Sequence, residues 1–371
     1  MAEFIHLNVY SDYSVLAGLC KTKKLMAKCK AKEIPAVALT DEGNLFGAVE
    51  FYQLGKDSKV KPIIGMETYI AKGGKTSRSG REPRESYETL LLLCETNEGY
   101  HHLCKLSTIG YLEGNYGKPR IDEADLERYS GGLIALSSRE QGRIGRALLD
   151  GRDAAALEGA NRFKEIFGAD RFFLEVSNHG NEADQTMNAG MARIAQELGL
   201  QLVATNQCRY LGRDDAEAYD ALACIRESEK LDNAARARLN GDSYYFKTAD
   251  EMAEALPDFP EALTNTVLIA ERCNVEIPLQ QNLIPAYAVP DGKNAADYLR
   301  ELVMAGIKDR YDPVPPEYQA RAEFELNVIE KMRFVDYFLV VWDLIAMRAR
   351  TASPWGRGAG RARAASWRIP C

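Results

Sequence analysis

The first part of the chain, up to about residue 210, alternates short β-rich runs with segments whose apolar residues recur at helical spacing. This alternation constrains the fold more than any other feature of the sequence. It is typical of an α/β protein in which helices connect parallel strands. About seven successive units predict a barrel or a distorted barrel rather than a short open sheet. The β-rich runs are Ile5–Tyr10, Ala36–Thr40, Pro62–Tyr69, Thr89–Cys94, Gly132–Ser137, Phe172–Val176 and Gln201–Thr205.

The composition is that of an ordinary globular protein. Hydrophobic residues make up 46% of the 371 positions and charged residues 27%, which suggests two or three domains. A net charge of −7 argues against an extended nucleic-acid-binding surface. We see no apolar run of the roughly 18 residues that a membrane span needs, and no signal peptide. The eight cysteines form no CxxC pair, which excludes a zinc ribbon and favours free thiols in a cytoplasmic protein.

From about residue 215 the pattern becomes helical. A Pro-rich segment, residues 274–293, reads as a linker. The run 334–345 is rich in aromatic and aliphatic residues, and we expect it to be buried. No GxGxxG or P-loop motif follows a strand, so neither dinucleotide nor nucleotide binding of those types is indicated. The predicted helices are Ala216–Arg226, Ala249–Leu256, Pro260–Cys273, Ala295–Arg310 and Pro316–Lys331.

Polar residues stand where the predicted strands end. In a parallel barrel this edge is the usual place for a pocket, although loops are polar in general and the pattern alone does not separate the two interpretations. The candidate pocket residues are Asn8, Tyr10, Asp41, Glu42, Glu67, Thr89, Arg139, His179, Gln207 and Arg209.

Several stretches carry a resemblance to a known family. Residues 4–14 (FIHLNVYSDYS), 38–52 (ALTDEGNLFGAVEFY), 61–67 (KPIIGME) and 336–343 (DYFLVVWD) resemble the bacterial DNA polymerase III alpha subunit, which begins with a PHP domain. The resemblance covers residues 4–346. It implies a distorted (β/α)7 PHP barrel over residues 1–214, a helical extension over 215–285 and the start of the polymerase palm over 286–347.

The same resemblance implies a dismantled metal site. PHP phosphoesterases use three divalent ions, held by His, Asp, Glu or Cys side chains. Ligand types remain here only at Asp41, Glu67 and His179, and His179 could equally be a loop histidine that bonds the backbone. The other ligand positions fall on Asn8, Tyr10, Glu42, Thr89, Arg139, Gln207 and Arg209.

We therefore expect no intact catalytic residue and no cofactor in this chain. At most one weakly bound divalent ion would lie on Asp41, Glu42 and Glu67. Because a guanidinium is permanently charged and matches carboxylates geometrically, we expect Arg139 and Arg209 to pair with Asp41 and Glu67 in place of metal.

For function, the resemblance implies DNA-directed DNA synthesis by a longer protein. Its Mg²⁺-binding palm carboxylates would lie beyond this chain, so the chain alone should be inactive. Its partners would be the rest of the polymerase III holoenzyme, a proofreading exonuclease docked on the PHP region, and DNA through downstream domains, with no membrane. Two alternatives are a metal-dependent PHP phosphoesterase or 3′–5′ exonuclease, and a pure interaction module.

The tail, residues 348–371, differs from everything before it. It has six arginines and no acidic residue. Codons can be chosen for residues 347–371 so that reading from the third base gives a Gly-rich motif like that of the family. This predicts a one-base deletion after Ala346 and a disordered, out-of-frame tail. The rival interpretation is a basic tail that binds single-stranded nucleic acid.

Overall fold

A computed structural model describes residues 3–78, 86–233, 242–279, 281 and 283–351. The chain divides into two compact units, Met1–Ile277 and Pro278–Cys371. Within the described ranges, none of the helices combines the length and apolar character that crossing a bilayer would require.

The first unit is α/β. Its strands are β1 (Ala36–Glu42), β2 (Lys61–Ala71), β3 (Tyr87–Cys94), β4 (Asn115–Tyr116), β5 (Lys118–Ile121), β6 (Leu133–Leu136), β7 (Phe172–Val176) and β8 (Gln201–Ala204). Its helices are α1 (Thr22–Ala31), α2 (Ala48–Ser58), α3 (Asn97–Leu112), α4 (Glu123–Tyr129), α5 (Arg143–Leu149), α6 (Asp153–Phe167), α7 (Glu182–Leu198), α8 (Ala216–Glu227), α9 (Ala249–Ala255) and α10 (Pro260–Arg272).

The strands form one curled sheet of mixed direction. Its order is β4-β5-β2-β3-β6-β7-β8, and β1 pairs with β2. The expected all-parallel arrangement is wrong at β3, which runs antiparallel to both β2 and β6. A parallel return needs a crossover connection that is usually a helix, and the sequence of residues 72–86 has no helical pattern that could supply one. The other pairs are parallel, except for the short β4–β5 hairpin, which the sequence did not reveal.

The predicted strand Ile5–Tyr10 is an irregular extended seam rather than a regular strand. On one side, the amides of Ala38 and Thr40 donate to the carbonyls of His6 and Val9 at 2.9 Å. On the other side, the amides of Tyr10 and Cys208 donate to the carbonyls of Cys208 and Asn8, also at 2.9 Å. The seam therefore joins the β1 edge to the chain that follows β8, and the curled sheet is closed there.

Two hydrophobic cores lie on the two faces of this sheet. The outer core packs the sheet against surrounding helices and includes Val37, Leu39 and Ile64. The inner core fills the curl and includes Ala38, Leu91, Leu136, Phe173 and Val203. This division follows from strand alternation, because successive side chains point to opposite faces.

Helix α10 belongs to the inner core and packs against β8. It supplies Ile269, Ala270 and Cys273 to that core, and the Thr266 hydroxyl accepts from the amide of Ile5 at 2.9 Å. The helices expected as an extension after residue 214 therefore lie in the same compact unit as the sheet.

The second unit is helical, with α11 (Ala295–Lys308), α12 (Pro316–Lys331) and α13 (Val335–Thr351). Its core contains Leu299, Val303, Ala322, Leu326 and Leu339.

The expectation that the apolar run 334–345 is buried is wrong for most of its residues. Only Leu339 is buried, while Phe334, Tyr337 and Leu344 are exposed, because α13 packs against α11 and contributes Leu339 to the core of this unit. Helix α13 continues to Thr351, so the first four residues of the tail, 348–351, are helical rather than disordered. The remaining tail residues lie outside the described part of the chain.

Candidate functional site at the mouth of the curled sheet

The candidate pocket residues line the end of the curl at which β1, β7 and β8 finish. Almost all of them are buried. Asn8, Tyr10, Asp41, Glu67, Thr89, Arg139, His179, Gln207 and Arg209 are each at most 7% exposed. The Glu42 side chain is the most accessible of the set, at 15%. The charges at this mouth therefore face one another rather than solvent.

Glu67, on β2, is a buried acidic residue at the mouth and is 3% exposed. The Tyr10 hydroxyl donates to Glu67 Oε2 at 3.1 Å. Burial raises the pKa of the Glu67 carboxyl to about 7, and the nearby Glu42 charge adds to this effect. Glu67 therefore titrates close to neutral pH in the folded protein.

Glu42, at the end of β1, is held by cations. Arg209 donates to Glu42 Oε1 at 2.8 Å, and Glu42 Oε2 accepts from Tyr69 at 3.0 Å and from Lys118 at 3.3 Å. Burial alone would raise its pKa, but Arg209 and Lys118 outweigh burial and lower the pKa to about 2. The Arg209 guanidinium also lies 3.7 Å from the centroid of the Tyr10 ring. Arg209 thus links the Glu42 and Tyr10–Glu67 parts of the mouth.

Asp41 belongs to the other face of β1. It lies with Leu39, Ala48 and Ile64 on the outer-core side, because neighbouring strand residues alternate. Its carboxylate accepts from the Ser11 amide at 2.7 Å, and its pKa is raised by burial. The hydroxyls of Ser11 and Ser14 also donate to this carboxylate, at 2.7 Å and 2.6 Å. The predicted ion pair between Asp41 and an arginine is therefore wrong.

Arg139 and His179 form a second cluster around Asp184 of α7. Arg139 pairs with Asp184 and donates to Asn188 Oδ1 at 3.0 Å. His179 donates its amide to Asp184 Oδ2 at 2.7 Å, and its Nδ1 lies 3.4 Å from the same oxygen. The expected arginine–carboxylate pairing does occur at the mouth, but with Glu42 and Asp184 rather than with Asp41 and Glu67.

A strap, residues 243–247, covers the His179 side of the mouth. Tyr244 stacks on the His179 ring with centroids 4.1 Å apart and planes 10° apart. Asn206 Nδ2 donates to the carbonyls of Ser243 at 3.0 Å and Tyr245 at 2.8 Å. His179 Nε2 lies 3.1 Å from the Asn206 carbonyl, which agrees with the interpretation of a histidine that bonds backbone. The strap therefore buries His179, whose side chain is only 2% exposed.

The remaining predicted positions make few polar contacts. Thr89 Oγ1 and Asn8 Nδ2 are buried and have no hydrogen-bond partner among the described residues. Gln207 has a left-handed backbone, with φ of 47°. Sequence reasoning missed Glu175 and Asp184 as members of this site. Glu175 had a visible signal, a carboxylate inside the β-rich run 172–176, whereas Asp184 lies in the first turn of a helix and had none.

The donor set does not fit a metal cluster. Across the described ranges, no group of three or more His, Cys, Asp or Glu side chains is placed to hold an ion. Asp41 faces the opposite side of β1 from Glu42. The Arg139 and Arg209 guanidiniums are buried at the mouth, and their permanent positive charges would repel a metal cation. Asp41, Glu67 and His179 are therefore not brought together as a ligand set.

Comparison with family models gives two matches. Residues 6–179 match the PHP domain, and residues 297–367 match the bacterial DNA polymerase III alpha NTPase domain. The second match extends over residues 348–367 of the tail. A match of protein sequence does not report the reading frame of the gene, so the frame-slip interpretation stays a prediction.

Curated relatives agree with these matches. The DNA polymerase III alpha subunit of Treponema pallidum is 39% identical over 96% of this chain, and that of Borreliella burgdorferi is 40% identical over 97%. This chain spans about a third of their length, 31% in each case. A solved structure described as a metal-dependent phosphoesterase from Bifidobacterium adolescentis aligns with 56% of this chain and 88% of its own, at 12% identity and a TM-score of 0.38. By sequence, this chain is similar over almost its whole length to bacterial DNA polymerase III alpha subunits, and its first unit carries the match to the PHP domain.

Proposed function

We propose that this chain is the N-terminal part of a replicative DNA-directed DNA polymerase, and that its PHP unit acts as a non-catalytic scaffold. The observation that carries the scaffold role is the closed mouth. Every candidate residue except Glu42 is at most 7% exposed, and both arginines form ion pairs inside the protein, Arg139 with Asp184 and Arg209 with Glu42. A phosphodiester substrate would need access to these groups, and a metal-dependent phosphoesterase would need a ligand set that they do not form.

Arg209 supports this role because it connects separate segments of the unit. Its guanidinium donates to Glu42 at 2.8 Å and to the Ala17 carbonyl at 3.1 Å, and it stacks on Tyr10. Its backbone amide donates to the Tyr244 carbonyl at 2.8 Å. In a metal-containing PHP domain the ions would join these strand ends, and here an internal cation does so.

In this proposal, the polymerase chemistry belongs to polypeptide that this chain does not contain. Palm carboxylates there would bind Mg²⁺ for nucleotidyl transfer, and downstream domains would bind DNA. The PHP unit would be the docking region for a proofreading exonuclease within the cytoplasmic replication complex.

A chimera tests this function. Residues 1–347 of this chain replace the matching part of the Treponema pallidum subunit, and primer extension with Mg²⁺ is measured. We expect nucleotide incorporation by the chimera and none by the 371-residue chain alone. Incorporation by the parent subunit but not by a folded chimera would contradict the proposal. Release of nucleotides from a DNA end by the pure 371-residue chain with Mn²⁺ would favour the exonuclease instead.

A further inference from the structure

Helix α12 is apolar on two opposite faces. Ala322 and Leu326, four residues apart, lie on one face and belong to the core of the second unit. Phe324 and Val328 are also four residues apart, but they are offset from the first pair by two residues. They therefore lie on the opposite face, where both are exposed. A helix that packs on one side only normally carries polar residues on its other side.

Helix α13 repeats this arrangement. Leu339 and Ala346, seven residues apart, are both buried, and Leu339 belongs to the core of the second unit. Tyr337 and Leu344 are also seven residues apart and are offset from this pair by two residues. They lie on the opposite face, and both are exposed. Two neighbouring helices of this unit are thus apolar both toward the core and toward solvent.

The turn between the two helices connects their exposed faces. Met332 and Phe334 of this turn are exposed, and the Phe334 ring lies 6.3 Å from the Tyr337 ring. Helices that are apolar all round occur in the interiors of larger proteins, and contiguous exposed apolar surface marks a contact site. We call these exposed side chains the apolar stripe, which consists of Phe324, Val328, Met332, Phe334, Tyr337 and Leu344.

The curated relatives indicate what covers the apolar stripe. This chain spans 31% of their length, so most of their polypeptide has no counterpart here. The match to the NTPase domain of the polymerase begins at residue 297, within α11, and includes all of α12 and α13. The stripe therefore lies in the part of the chain that is related to the polymerase rather than to the PHP domain. A second copy is a poorer occupant, because each chain carries a net charge of −7 and two copies repel each other.

We propose that the apolar stripe is the surface on which the downstream polypeptide of a full-length alpha subunit packs, through an apolar face of its own. This inference rests on the proposed function. The second unit is then one layer of a larger domain. Its own core lies against the inner faces of α12 and α13, and the downstream polypeptide covers their outer faces.

Thiol labelling tests this packing. Phe324→Cys and Leu344→Cys are made in the 371-residue chain and in the chimera with the Treponema pallidum subunit, and mass spectrometry follows the reaction of each site with iodoacetamide. Leu268→Cys, on α10 of the first unit, is the matched control, because Leu268 is 47% exposed and Leu344 is 57% exposed. We expect similar rates at all three sites in the 371-residue chain. In the chimera, the two stripe sites should react about tenfold or more slowly than the control, because a buried thiol is protected.

Equal rates at the stripe and control sites of a cooperatively folded chimera would overturn the proposal. Primer extension by the same chimera separates this result from the proposed function. Extension with an unprotected stripe would refute the packing and leave the polymerase assignment in place. Protection of the stripe without extension would support the packing and count against that assignment.

A charged double variant of the 371-residue chain, Phe324→Glu with Leu344→Glu, gives a second test that does not need the chimera. In the part of the chain that the structure describes, both side chains are open to solvent. We therefore expect the unchanged chain to sediment as a monomer, and the double variant to melt within about 2 °C of it. A dimer that the double variant abolishes would show that a second copy covers the stripe. A clearly lower Tm would show that the chain covers the stripe itself, and either result would overturn the proposal.

Discussion

Replacing Glu67 by glutamine should stabilise the protein above neutral pH. An ordinary glutamate has a pKa of 4.5, and that of Glu67 is about 7 in the folded state. The folded protein therefore holds this proton more tightly than the unfolded chain does, so stability is fully present below pH 4.5 and falls as pH rises to 7. A difference of about 2.5 pH units corresponds to a loss on the order of 3 kcal/mol at pH 8. Glutamine is neutral and can still accept from the Tyr10 hydroxyl.

The assay is thermal unfolding of the wild type and Glu67→Gln at pH 4 and pH 8. We expect similar melting temperatures at pH 4 and a variant that melts about 5–10 °C higher at pH 8. The groups that set this pKa, Glu42, Arg209, Tyr10 and Glu175, are unchanged in the variant. If Glu67 instead held a metal ion, its loss would lower the melting temperature at pH 8. That result, or equal melting temperatures at pH 8, would refute the reasoning.

Three further predictions concern the same unit. Glu42 has a lowered pKa, so its contribution to stability should be present above pH 4.5 and lost as pH falls toward 2, and Glu42→Gln should remove this dependence of stability on acid pH. Because the same change leaves Arg209 without its charge partner, it should also lower the free energy of unfolding in urea by about 3 kcal/mol at pH 7. Asp41→Asn should cost about 1–3 kcal/mol in the same assay, because an amide cannot accept all the bonds from Ser11 and Ser14, and an unchanged midpoint would contradict this. Ile269→Ala, in the helix that enters the inner core, should lower the free energy of unfolding by about 2–5 kcal/mol. The exposed Leu268→Ala is the control, and a larger loss from it than from Ile269→Ala would show that α10 does not pack into the inner core.

The sequence indicated much of the fold, because strand and helix periodicity are local signals. The run 172–176 is β7 as predicted, and the helix predicted from Pro316 is α12. The direction of β3 was not predictable from its own residues, since it depends on the connection that precedes it. The irregular seam at Ile5–Tyr10 depends on hydrogen bonds to distant residues, which no local pattern reports.

The site was predictable in composition but not in pairing. The polar positions expected at the strand ends are buried at the mouth, whereas the replacement of metal ligands by Arg139 and Arg209 stays a prediction. Which carboxylate each arginine meets depends on the face of the strand. Asp41 and Glu42 are neighbours in sequence, yet only Glu42 shares the inner face with Arg209. Asp184 became a partner of Arg139 only because α7 packs beside β7.

We expect the mouth to be held together by its own side chains rather than by divalent ions. The most direct measurement is the metal content of the 371-residue chain after incubation with Mn²⁺ and Zn²⁺ and removal of free ions. We expect well below one ion per chain, since the guanidiniums of Arg139 and Arg209 occupy the mouth. Two or more ions per chain, retained through desalting and lost on substitution of Glu67, would contradict it.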